Sequence, residues 1–180
     1  MKLIMKISAT IVLLFLSFFI LAQDIIPKER FGEIEIGITY EDVIWIIGFD
    51  GSKISKESAP EMLTAPLNEL NIEFDYVVNF RYIMDLPVTS VYFKDNLAVY
   101  FTISSYPEYN QFICQDLTTS VGLKFWDTPN QMKALYGKDP SELNFKSGSI
   151  QYYAYQGEGI LFGVDNNEIR TISIFNTEFK

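Results

Sequence analysis

Ile36-Gly37-Ile38-Thr39-Tyr40-Glu41-Asp42-Val43-Ile44-Trp45-Ile46-Ile47-Gly48 reads as a strand end, a capped helix and a glycine stop. Thr39 can accept from the amides of a first helical turn, and Glu41-Asp42 put negative charge where the helix dipole favours it. Val43, Ile46 and Ile47 recur at helical spacing, and Gly48 suits the left-handed position that closes a helix. Ile44 and Trp45 widen the apolar stripe, which predicts a helix buried on more than one side. A weaker echo runs from Val121 to Gly137, with Gly122 leading in, Thr128 as cap, Pro129 at the first helical position and Met132, Leu135 and Tyr136 as the stripe. In both stretches a capping Thr lies nine residues before a closing Gly (39 to 48, 128 to 137). The sequence is therefore read as two similar halves.

Working outward, strands surround these helices. Residues 72–82 are rich in aromatic and β-branched side chains. Val91 and Phe93 alternate with Tyr92 and Lys94, Asp95-Asn96 makes a hairpin turn, and a return strand follows. Strict alternation puts Leu97, Val99, Phe101 and Ile103 on one face and Ala98, Tyr100 and Thr102 on the other. Three more strands, 150–155, 160–164 and 169–175, are joined by Gln156-Gly157-Glu158-Gly159 and Asp165-Asn166-Asn167-Glu168. The second connection starts like a calcium loop but lacks its glycine and distal acid, so it is read as a hairpin turn. Pro60 and Pro66 bracket a segment that is either one or two helical turns capped by Ser58 or a loop. The fold class is α+β, each half a short capped helix or two packed on an antiparallel meander.

Residues 1–22 have the form of a signal peptide: Lys2 and Lys6, an apolar run from Ile7 to Leu21, then Ala22 before Gln23-Asp24. The run is short for a membrane span, so an uncleaved anchor is the lesser alternative, and contact with the membrane is transient. The form points to export in a Gram-negative bacterium, to the periplasm or beyond. The halves are then 23–105 and 106–180, with Pro107 at the boundary.

The chain has 180 residues and a formal charge of −9; loss of Lys2 and Lys6 with the signal peptide makes it −11. Such acidity disfavours nucleic acid as a partner. Histidine is absent, which removes imidazole bases, Ser-His and Cys-His dyads and the commonest zinc sites. Cys114 is the single cysteine, so no intramolecular disulfide or thiolate cluster can form, and its apolar neighbours suggest a buried thiol. No cofactor and no metal are expected.

The tandem helix-plus-meander order resembles the exported modules of outer-membrane assembly lipoproteins (the SmpA/OmlA type) and of the β-lactamase inhibitory proteins. The residues that carry the resemblance are Gly37, Thr39, Val43 and Gly48, then Thr128, Met132 and Gly137, then Tyr155 and the strands 159–164 and 169–174. The family lead-in is Gly-apolar-Thr; the second half departs from it, with Gly122 six residues before Thr128 instead of two. The resemblance implies a binding fold that performs no chemistry. The chain lacks both the lipobox cysteine of the lipoproteins and the paired cysteines of the inhibitors.

Three functions follow. The first is a monomeric, non-enzymatic module that binds another envelope or secreted protein through an open sheet face. On the alternation above, Tyr92 and Tyr100 project from that face, and Tyr153 and Tyr155 do so in the second half; Tyr offers contact area at low entropic cost. The second is a carbohydrate-binding protein or carboxylate-driven glycan hydrolase, for which no acidic constellation is recognisable: Glu158 reads as a turn residue and Asp127 as a helix-start residue. The third is a structural envelope protein that self-associates through sheet edges.

Overall fold

An eight-stranded, wholly antiparallel sheet is the frame. The computed structural model describes residues 24–80, 88–105, 114, 117–137, 144–176 and 178, so residues 1–22, read above as a signal peptide, the end of the 72–82 strand and Pro107 lie outside the described residues. A short β1 (Asp24–Ile26), β2 (Arg30–Phe31) and β3 (Ile34–Glu35) come first, then α1 (Tyr40–Ile47) and β4 (Ser52–Ser55). Next are α2 (Glu61–Leu70), β5 (Tyr76–Phe80), β6 (Val88–Lys94) and β7 (Leu97–Ser104). The second half holds β8 (Thr118–Thr119), α3 (Pro129–Tyr136), β9 (Asn144–Ser147), β10 (Ile150–Tyr155), β11 (Ile160–Asp165) and β12 (Glu168–Phe175). The large sheet runs β4-β5-β6-β7-β12-β11-β10-β9, and a small one runs β3-β2-β1-β8. Each half thus contributes four strands where the sequence predicts three. The added β4 and β9 are short edge strands with little periodicity of their own.

Both helix signals hold. Thr39 Oγ1 accepts from the Asp42 amide at 3.2 Å, and Gly48 closes α1 in the left-handed region at φ 72°. Thr128 forms a capping box with Gln131, the Thr128 amide donating to Gln131 Oε1 at 2.9 Å. The segment left open between Pro60 and Pro66 is helical and runs on to Leu70, with Pro60 at its start and no side-chain cap, so Ser58 does not cap it.

The two halves meet at β7 and β12 around an internal two-fold axis. Thr102 pairs with Ser173, flanked by Phe101 with Ile174 and Ile103 with Ile172. The hydroxyls of Thr102 and Ser173 bond each other at 3.0 Å on that seam. The hairpins that precede the seam also match. Asp95-Asn96 and Asn166-Asn167 all have positive φ (50°, 65°, 51° and 64°), as a two-residue type I′ turn requires. Each turn is followed by a bulge at the same place: Val99 is passed over between the Phe93–Ala98 and Tyr92–Tyr100 pairs, and Arg170 between Val164–Ile169 and Gly163–Thr171.

The bulge changes the predicted faces. An extra residue inverts the alternation, so Val99 packs with Tyr92 and Tyr100, while Ala98 joins Phe93 and Phe101 on the other side.

The lead-in to each helix is equivalent as well, but not through Gly122. Ala98 exchanges backbone bonds with Gly37 N and Ile38 O, and Ile169 does the same with Trp126 N and Asp127 O. Trp126, at φ 66°, therefore stands where Gly37 stands at φ 87°. Gly122 instead closes a separate turn, its amide donating to Thr119 O at 2.8 Å.

Two apolar layers result. On one face α1, α3 and the small sheet bury Val43, Met132, Ile25, Phe31 and Ile34 against Val91, Phe93, Phe101, Phe162 and Ile172. Cys114 lies in this layer, and burial pushes its thiol up to about 12. On the other face α2 packs through Leu67 and Leu70 on Val77, Tyr92, Val99 and Tyr100. Although its chain neighbours are β4 and β5, α2 also packs on β9 at the far edge. A flat eight-stranded sheet would be ~34 Å across, against ~15 Å for a ten-residue helix. The sheet therefore curls around α2, and one helix serves the concave face of both halves.

Candidate functional site

The four tyrosines singled out from the sequence do not form an open face. Tyr92 and Tyr100 are 2% and 1% exposed, beneath α2. The Tyr92 hydroxyl donates to Leu63 O at 2.9 Å, and the two rings meet edge to face at 5.2 Å. Burial raises both phenols, and the Tyr100 hydroxyl lies beside Thr102 and Ser173 without a well-formed bond. Tyr153 and Tyr155 lie on the opposite face, next to α3: Tyr155 donates to Gly137 O at 3.3 Å, and Lys133 Nζ sits 5.8 Å from the Tyr153 ring. Tyr155 is buried and Tyr153 half-buried. For Tyr92 and Tyr100 the physical reason is the helical character of residues 61–70, whereas Tyr153 and Tyr155 lie on the face that α1 and α3 cover. A sheet covered on one side would leave tyrosines open, but this sheet is covered on both.

The acids considered for hydrolysis are structural. Asp127 Oδ2 accepts from the Lys124 amide at 2.8 Å and Oδ1 from Gln131 Nε2 at 2.9 Å, which orders the start of α3. Glu158 belongs to a short 3-10 turn, Gln156–Glu158. Asp75 is held below its ordinary value of 3.8 by the Asp95 amide and then by Lys94, and Glu57 is lowered chiefly by its own backbone amide. Both shifts run opposite to what a general acid needs.

Among the described residues the most exposed large apolar side chain is on α1; Met62 on α2, Leu135 on α3 and Val121 are exposed singly. Only Val43 of this helix is fully buried, whereas Trp45 is 83% exposed and Phe49, just past the glycine cap, 51%. Of the two residues that widen the apolar stripe, Ile44 is half-buried against the core, but Trp45 faces outward, contrary to the expectation of burial on a second side. α3 provides an internal control, because the caps 39/128 and 48/137 set the two helices in register. Val43 corresponds to Met132, and both are fully buried. Ile44 and Trp45 correspond to Lys133 and Ala134, both exposed. The fold is thus satisfied by Ala at the Trp45 position. At about 25 cal/mol per Å² and about 200 Å² of exposed indole, folding leaves several kcal/mol of burial unused. The sequence signal for this was available, since the two stretches differ most at these positions.

The surroundings of Trp45 are acidic. Glu41 and Asp42 precede it by four and three residues, on the same face of the helix, and both are exposed. Glu41 also accepts from Asn96 Nδ2 at 2.8 Å, which ties the β6–β7 turn to the helix. Asp50 follows Phe49, and the last turn of α1 has no basic residue, unlike α3 with Lys133. Lys53 on β4 approaches the Tyr40 end, its ammonium 3.6 Å from the centroid of the Tyr76 ring and 5.3 Å from that of Tyr40.

No protein-family model matches the chain, and no curated protein or solved structure matches it either.

Proposed function

We propose that the chain is an exported, non-enzymatic module of the bacterial cell envelope that binds another protein through the outer face of α1. The observation that carries this reading is Trp45, which lies in the open at a position where the other half of the same fold has Ala134. An exposed Trp flanked by a second exposed aromatic is the composition of an interface anchor. The resemblance to exported binding modules points the same way. Export rests on the form of residues 1–22, and among the described residues no helix is long and apolar enough to cross a membrane.

The test is chemical cross-linking in the native envelope, affinity isolation of the tagged full chain, and mass spectrometry. A stoichiometric protein partner, lost in Trp45→Ala and retained in Tyr153→Ala, is the expected result. Peptidoglycan or glycan fragments in place of a protein would put the carbohydrate reading first. Recovery of the chain alone, with concentration-dependent sedimentation, would favour the self-associating one.

A further inference from the structure

We infer that the partner of α1 is a protein with an apolar pocket rimmed by lysine or arginine, and that Trp45 fills the pocket. The inference rests on the binding role proposed above and adds the chemistry of the other side. Two independent features make the rim of the patch negative. Glu41, Asp42 and Asp50 place carboxylates at both ends of α1, and no Lys or Arg occurs from Tyr40 to Gly51. The carboxyl end of the helix, where carbonyl dipoles leave partial negative charge, has no cation to offset it and is followed by Asp50. Lys53 is a nearby cation, and its charge is held over the Tyr76 and Tyr40 rings at the opposite end of the helix from Asp50.

An anionic lipid surface is repelled by such a rim. A second copy of the same patch would set like charges against each other on a chain that already carries −9. A cationic rim around an apolar pocket satisfies both parts: the indole is desolvated at the centre, and the carboxylates steer the approach and stay wet at the edge. α3 lacks this constellation, having Lys133 and Ala134 in place of Ile44 and Trp45.

The test uses the tagged full chain with p-benzoylphenylalanine in place of Phe49, irradiated in the native envelope at low and at high salt, in the parent, Trp45→Ala and Asp50→Lys backgrounds. The expected result is one protein adduct whose cross-linked peptide is rich in Lys and Arg. Its yield should fall about thirtyfold in Trp45→Ala and about three- to tenfold in Asp50→Lys and again at high salt. Unchanged thermal unfolding of both variants keeps these losses attributable to contact. A protein adduct indifferent to Asp50→Lys and to salt would overturn the cationic rim while leaving the binding role intact. An adduct to lipid or to a second copy would overturn the partner assigned here. No adduct at position 49, with a partner still recovered by chemical cross-linking, would overturn the α1 site alone; no partner by either route would overturn the binding role itself.

Discussion

The two halves of this molecule build the same helix, hairpin, bulge and seam, yet they finish differently. In the first half the connection between β4 and β5, residues 56–75, contains α2; in the second the connection between β9 and β10 is the Gly148-Ser149 turn. The concave residues follow suit. Tyr92 and Tyr100 lie under α2, while the matching positions hold Gly163 and Thr171. On the other face the relation is reversed: α1 leaves Trp45 in the open where α3 has only Ala134. A repeated fold thus acts as its own reference. What both copies keep is needed for folding, and what one copy adds is either packing, as with the tyrosines, or a surface without a structural use, as with Trp45.

The most damaging way to test the comparison is Tyr100→Ala, which empties the space beneath α2. It should cost about 3–5 kcal/mol in urea unfolding. Thr171→Ala, its counterpart, should cost about 1 kcal/mol or less. Equal losses would mean that α2 does not distinguish the halves.

Next in size is Gly37→Ala. At φ 87° a side chain is strained, and a loss of about 1–2 kcal/mol is expected in the same assay. Trp126 bears that conformation in the second half, so Trp126→Ala, which keeps the strained backbone, should differ from the parent only through the half-buried ring. A neutral Gly37→Ala would mean that the lead-in carries a side chain at positive φ without strain, as it carries Trp126 in the second half.

A smaller effect comes from alkali. Tyr76, whose place in the register is taken by Gln151, has its phenol pushed up to about 12, by burial first and then by Glu41, with its hydroxyl donating to Asn96 Oδ1 at 2.7 Å. A folded value above the ordinary 10.0 means that this stabilisation is complete below pH 10 and is lost as pH rises toward about 12. The urea midpoint of the parent should therefore drop more between pH 9 and pH 11 than that of Tyr76→Phe. Parallel curves would remove the phenol from the account.

The smallest expected change is in Trp45→Ala, within about 0.5 kcal/mol of the parent by thermal unfolding, because α3 already folds with Ala in that place. A loss above about 2 kcal/mol would assign the indole to the fold.

Local chemistry made much of this architecture legible in the chain. Thr39 and Thr128 cap, Gly48 and Gly137 close, Asp95-Asn96 and Asn166-Asn167 turn, and 150–155 alternates, each through bonds or dihedrals that span only a few residues. These features determined two helices, the last hairpin of each half and the α+β class. Tertiary structure alone decided which faces are covered. The bulge at Val99 is an unpaired residue that exists only relative to the opposite strand, so counting by twos placed Val99 and Ala98 on the wrong sides. The role of Gly37 passed to Trp126 because backbone bonds to Ala98 and Ile169, far away in sequence, define the position. Residues 61–70 became a helix, in spite of Pro66, because their apolar side packs on the curled sheet, and that packing is what buried Tyr92 and Tyr100. Trp45 stayed in the open for the same kind of reason: helical spacing shows that a side chain is apolar, but only the packed neighbours determine whether anything covers it.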